Sequence, residues 1–334
     1  MSDIIETGNG AAPGGRAVSA MFFTGFCAFL GLYATQPLLP LFHQSFHASK
    51  LMVSLTVSAA TLAVALAAPF VGMIADRRGR KKVIIPAIYM LAVVNLLSAT
   101  AGGLNALIFW RFVQGLLTPA VFAVAVAYVN EEWGACEAGF VTSVYVTGTV
   151  VGGFCGRFMS GFVAAHWDWP WVFVVLGLLN LALAVLISAW LPPAKHFNKV
   201  QGTRAALRNM AAHLRNPRLL GIYAVGFTIL FGLVGTFTYV TFYLAEPPFS
   251  LGPALLGGIF AVYLAGAVIT PLAGRWSNRV AGWKMLSSAL FVSACGILVT
   301  LSHSLPLVII GITLCSSGVF VCQIVTNRSI GPAA

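Results

Sequence analysis

Apolar runs long enough to cross a bilayer as helices, about 20 residues rising 1.5 Å each, recur ten times along the chain. They are Ala17–Phe42, Leu51–Ala75, Val83–Gly103, Leu107–Tyr128, Ala138–Ala164, Trp171–Leu191, Leu219–Leu244, Gly252–Gly274, Met285–Ser302 and Leu305–Val325. None alternates polar with apolar as the short strands of a membrane barrel do. Lipid offers a backbone no hydrogen-bond partner, so the pattern predicts an all-α polytopic membrane protein. The first run follows a Gly-rich tail ending at Arg16 and is too long for a signal-peptide core, so it is read as a retained helix.

Composition agrees: 59% of the 334 residues are hydrophobic and only 8% charged, against about 45–50% and 25% in a soluble domain. That excludes a soluble enzyme, a disulfide scaffold and a disordered chain. The net charge of +11 invites a nucleic-acid partner. The basic residues instead sit in short clusters between apolar runs, with no interleaved aromatic strip for stacking bases, so no nucleic acid is expected. Of the 19 Lys and Arg, 16 fall on the side of Arg16, only Lys50 falls on the other, and Arg111 and Arg157 lie inside runs. The bilayer is therefore the partner, with both termini cytoplasmic. The segment Asn130–Glu137 stands out on the basic side, because it carries Glu131, Glu132 and Glu137 and no base. The six cysteines form no CxxC pair and the six histidines are scattered, so neither a metal nor a cofactor is expected. No Ser-His, paired-Asp or metal constellation lies in the runs, which argues against an enzyme.

A shift of 202 residues lays Val57–Gly72 over Ile259–Gly274, with Ala59/Ala261, Leu62/Leu264, Pro69/Pro271 and Gly72/Gly274 among the identities. Arg77 then meets Arg279, Lys82 meets Lys284, and the first and seventh runs start in step. A parallel two-fold repeat of helices is a secondary-transporter pattern. It divides the chain into a tail (1–16), a six-helix bundle (17–191), a basic loop (192–218), a four-helix partial bundle (219–326) and a second tail (327–334). By this arithmetic the second bundle is expected to lack two helices.

Between the second and third runs, Gly72, Asp76, Arg77, Gly79, Arg80, Lys81 and Lys82 spell G-x-x-x-D-R-x-G-R-K-K. A turn with positive anchors explains the bases but not their order with Gly and Asp. Arg111, Gln114 and Gly115 give R-x-x-Q-G in the fourth run. Gly148, Gly152, Gly156 and Ser160 recur every four residues in the fifth, a face that lets two backbones approach closely. With these motifs the chain resembles the major facilitator superfamily of secondary transporters. The stretches Tyr33–Pro40 (YATQPLLP), Glu246–Pro248 (EPP) and Cys315–Gln323 (CSSGVFVCQ) resemble its sugar-efflux and multidrug-efflux branch. Arg157 stands where that family's fifth helix has a proline, and Pro170 where it more often has Arg.

The resemblance implies a fold of two helical bundles rocking about a central site, with Asp76 latching a helix that this chain does not reach. It implies that the fifth helix packs at the interface between the two halves, so that packing and gating overlap there, and that spans one, four, seven and ten line the cavity. Cavity candidates are thus Tyr33, Gln36, Arg111, Gln114, Thr236, Tyr239 and Gln323, a mixture of aromatic and amide groups suited to a neutral polar or amphipathic solute. An arginine deep in a span costs about 2.5–3.5 kcal/mol on insertion scales. Arg111 and Arg157 therefore either snorkel to the near surface or, in the case of Arg111, face the cavity. No carboxylate lies inside a run, and Asp76, Glu131 and Glu246 at helix ends are weak substitutes as proton carriers. Proton coupling is implied by the resemblance alone. The expected function is export of a small sugar or drug-like solute across a bacterial inner membrane by alternating access. A truncated, non-transporting relic is the alternative.

Overall fold

The structure is a computed structural model that describes residues 14–194, 216–266, 268–269 and 281–330. Most of the basic loop, the first tail and the repeat's copy of the D-R motif around Arg279 lie outside the described residues. Its helices are α1 (Gly15–Leu30), α2 (Leu39–Ser45), α3 (Lys50–Arg78), α4 (Arg80–Ala99), α5 (Leu104–Leu117), α6 (Pro119–Glu132), α7 (Ala135–His166) and α8 (Pro170–Trp190). After the loop come α9 (Pro217–Ala245), α10 (Pro253–Ile259), α11 (Gly282–Val299) and α12 (Leu305–Ile330). Among the described residues there is no strand, and eight helices are long and apolar enough to cross a membrane. Two shorter apolar helices, Gly15–Leu30 and Pro253–Gly266, occupy the remaining predicted positions.

Local chemistry sets the helix ends. Ser49 caps α3 by accepting from the Met52 N–H at 3.2 Å, and Pro170 and Pro253 open α8 and α10 at positions where no N–H is needed. Gly79 joins α3 to α4 at φ 92°, a conformation that a side chain would strain. Thr118, itself helical, runs α5 into α6, so the two form one span from Leu104 to Glu132.

The first predicted run differs from expectation. Ala17–Phe42 is not one helix, because α1 stops at Leu30, turns through residues 31–35, and resumes as a 3-10 turn over Gln36–Leu38 followed by α2. Pro37 and Pro40 have no N–H to continue the ladder, and the pyrrolidine ring collides with the preceding turn.

Helices α1 to α8 share two buried cores, one around Ile84, Val124 and Tyr128 and one around Leu38, Phe42 and Phe173. Helices α9, α10 and α12 share a third around Phe237, Phe260 and Ile312. The tightest seam in the first group runs along α1 and α7. A Cβ built on Gly148, Gly152 or Gly156 would fall on the backbone of Phe22, Phe26 or Leu30 respectively. Both helices advance four residues per contact, so they run parallel with their backbones touching. This glycine face lies within the first group, while α7 turns a different glycine, Gly161, toward the second, against Pro253 and Gly257 of α10.

Overpacking a tight site costs about 1–3 kcal/mol or more, so Gly152→Leu is expected to lower the thermal unfolding midpoint of the detergent-purified protein markedly. Gly139→Leu, on the same helix with nothing within 4 Å of its Cβ position, is expected to leave it unchanged.

Candidate functional site

Arginines organise three levels of the molecule. At the end where α3 meets α4, Arg80 pairs with Asp76 one turn back at 2.5 Å. It also grips Glu131 of α6 with a forked bond, Nη2 to Oε1 at 2.7 Å and Nε to both carboxylate oxygens at 3.1 and 3.2 Å. Lys81 donates to the Leu191 carbonyl at the end of α8. The motif between α3 and α4 thus ties α6 and α8 to the same corner. The acidic segment that looked out of place on the basic side supplies its counter-charge. Asp76, assigned by resemblance to latch a later helix, is here the partner of Arg80, while Gly72 meets nothing within 4 Å of its Cβ position.

Deeper in, Arg111 is 0% exposed. Its Nε donates to the Thr56 carbonyl at 3.0 Å and its Nη1 to the Gly31 carbonyl at 2.8 Å and to Gln114 Oε1, while Nη2 donates to the Leu32 carbonyl. The carbonyls of Gly31 and Leu32 lie just past the end of α1, in the turn where Gly31 also accepts from the Ala34 N–H at 3.3 Å. Arg111 neither snorkels nor presents its donors to a cavity. It repairs the broken helix. The rest of R-x-x-Q-G serves the same joint. Gln114 Nε2 reaches Asn95 Oδ1 at 3.5 Å, a Cβ on Gly31 would strike Gln114, and a Cβ on Gly115 would strike the Ala60 carbonyl of α3.

The third level joins the two groups of helices. Arg157 of α7 is 4% exposed. Its Nε donates to Gln36 Oε1 at 2.7 Å and its Nη1 to the Gly153 carbonyl at 2.7 Å. Its guanidinium carbon lies 4.8 Å from the ring centres of Tyr33 and Tyr263 and 4.9 Å from that of Phe260. Gln36 in turn donates to Thr238 Oγ1 of α9 at 3.3 Å. Nearer the membrane surface, Lys50 pairs with Glu246 at 2.6 Å across the same boundary. Phe242 of α9 is buried in the core around Phe42 and faces the His43 ring edge-on. Every one of these bonds and ring contacts lies in the half of the molecule toward Lys50, away from Arg80.

Of the remaining cavity candidates, Thr236 is half-buried, while Tyr239, 51% exposed, and Gln323 are exposed. They do not converge with Tyr33 and Gln36 through any hydrogen bond among the described residues. The three carboxylates considered as proton carriers are all ion-paired, Asp76 and Glu131 with Arg80 and Glu246 with Lys50. Sequence reasoning missed Thr238, Phe260 and Tyr263. The first had a signal, since 238 is the position that the 202-residue repeat lays over Gln36.

The family model described as Major Facilitator Superfamily matches residues 21–331. A protein of Buchnera aphidicola subsp. Schizaphis graminum, named as an uncharacterized transporter, is 30% identical over 95% of this chain and 77% of its own length. The inner membrane transport protein YnfM of Escherichia coli is 29% identical over 79% of this chain and 64% of its own. Among solved structures, a bacterial homologue of the human lysosomal transporter Spinster, in an inward-facing and unoccupied conformation, superposes with a TM-score of 0.73. It is 14% identical and covers 94% of this chain and 74% of that one.

Arg111→Lys keeps the charge but has no fork to span three carbonyls and an amide. A buried carbonyl left without its donor costs about 1–3 kcal/mol. The variant is expected to unfold at a clearly lower temperature in detergent, whereas Arg80→Lys, at a partly exposed pair, is expected to shift the midpoint far less.

Proposed function

Since the chain belongs to the major facilitator superfamily of membrane transporters, we propose that it exports a small solute, sugar-like or drug-like, by alternating access. The setting is a bacterial inner membrane with both termini cytoplasmic, and protons are the candidate exchanged ion. The observation that carries the reading is where, among the described residues, the hydrogen bonds, ion pair and close backbone approach that join the two helix groups lie. The Arg157–Gln36–Thr238 chain, the Lys50–Glu246 pair and the Gly161–Gly257 approach all lie toward Lys50. Such a set of contacts in that half suits a rocking pair of bundles closed on that side, around a site near the midplane.

The distribution of Lys and Arg supports the orientation, because the Arg80 side holds 16 of them and the Lys50 side holds one. The Lys50 face is then the outer one, and the arrangement has its outer gate shut. Proton exchange draws its support from the family. The carboxylates available to it are the three paired at helix ends, so taking up a proton there would break an ion pair and loosen one face.

The test is a cross-link across the shut face. In a background with the six cysteines replaced, Lys50→Cys with Glu246→Cys is joined in proteoliposomes by a short bismaleimide with an internal disulfide that bridges the span of the Lys50–Glu246 pair. Flux of ethidium and of labelled lactose is followed before and after linking and after reduction of the linker. Flux of at least one probe well above empty liposomes is expected, falling at least about tenfold on linking and returning on reduction. Flux that survives complete cross-linking would defeat alternating access. Absence of flux with both probes would defeat the sugar or drug assignment.

A further inference from the structure

The two arginines buried in the spans differ in how their donors are used. Arg111 bonds through all three of its nitrogens, to three carbonyls and an amide oxygen. Its charge is spread over fixed dipoles, and it has a structural duty. Arg157 donates from Nε to Gln36 and from Nη1 to Gly153, and among the described residues its Nη2 makes no hydrogen bond. Among the described residues, the rings of Tyr33, Phe260 and Tyr263 surround its guanidinium carbon. No Asp or Glu lies within a span to neutralise it, and Asp76, Glu131 and Glu246 are taken by Arg80 and Lys50. A largely buried cation with one arm of its fork unbonded, set among aromatic faces, is a poor structural element but a ready anion receptor.

We propose that Arg157 is the recognition group for an anionic solute, a carboxylate carried on an apolar or aromatic body. A guanidinium fork matches the two oxygens of a carboxylate in one plane, and the surrounding rings suit the body. The cover comes from both helix groups: Tyr33 and Gln36 belong to the first, Phe260 and Tyr263 to the second. Parting the groups on the Lys50 face withdraws two of the three rings and the Thr238 partner of Gln36, and leaves Arg157 facing the pathway. A carboxylate would replace what the rings supplied. It would therefore bind the parted state more tightly than the shut one and shift the equilibrium toward it. The rings and the anion compete for one cation. This charge balance favours an anion over the neutral solute that the amide and aromatic cavity residues suggest by themselves.

The inference rests on the transport reading for its pathway, but its test reads binding. The full chain, purified in detergent, is titrated with benzoate and cinnamate and with the isosteric neutral amides, benzamide and cinnamamide. The readout is the thermal unfolding midpoint by tryptophan fluorescence. Expected is a saturable shift with the carboxylates at concentrations at least fivefold lower than with the amides. Arg157→Gln is expected to abolish the difference, and Phe260→Leu to lower the concentration of carboxylate required. If Arg157→Gln does not fold, Arg157→Lys serves, with an expected loss of at least fivefold in apparent affinity. Equal shifts for acid and amide, no shift with either acid, or an acid preference that survives loss of the guanidinium would each overturn the proposal. Carboxylate binding without solute flux would sink the transport reading and leave this one standing. Flux of lactose or ethidium with no carboxylate preference in binding would do the reverse.

Discussion

Inside a bilayer a backbone carbonyl that leaves its helix has no water to turn to, and this constraint shapes the centre of the molecule. The first span leaves the regular helix at Gly31 and resumes at Gln36, beside Pro37 and Pro40, which have no N–H for a helical ladder. The carbonyls of Gly31 and Leu32 thus lie in a turn rather than in a helix. Arg111, reaching over from α5, supplies their donors. Its cost in the membrane is offset by the carbonyl dipoles of Gly31, Leu32 and Thr56 that it pairs. The same joint needs Gly31 and Gly115 to have no side chain, since Gln114 and the Ala60 carbonyl occupy those places. A motif that reads as a row of polar residues in an apolar span is thus one joint between α1, α3, α4 and α5.

The break also creates what lies beyond it. Had the first span continued as a straight helix, Gln36 would have been presented differently and could not both accept from Arg157 and donate to Thr238. The irregular segment at residues 31–38 is therefore where the two helix groups touch at their axis. Tyr33 from the same segment covers one face of Arg157. Two cations deep in the spans, one saturated and one half-covered, stand on either side of this short piece of chain. The tight glycine seam between α1 and α7 holds them in place.

The motif near Arg80 shows how a corner can be legible in type but not in pairing. Its order of Gly, Asp and bases was plain, and so was the odd run of glutamates at 131, 132 and 137. That Arg80 and Glu131, 51 positions apart, form one forked pair was not, since a loop charge count has no distances in it. Lys50 and Glu246 repeat the lesson over 196 positions.

From sequence alone the chain is a helical membrane protein with an internal repeat of 202 residues and the motifs of its family. These properties are local or periodic: hydrophobic run length, the position of proline and glycine, and the order of charges all sit within a few neighbouring residues. The tertiary structure decided the rest. It assigned Arg111 to the carbonyls of a broken helix, turned the Gly148–Gly152–Gly156 face inward to α1 rather than across the halves, and set Arg157 among rings from both groups. The physical reason is that a buried charge takes its character from the atoms that surround it. Those atoms come from helices far apart in the chain, brought together only by the packing of the whole.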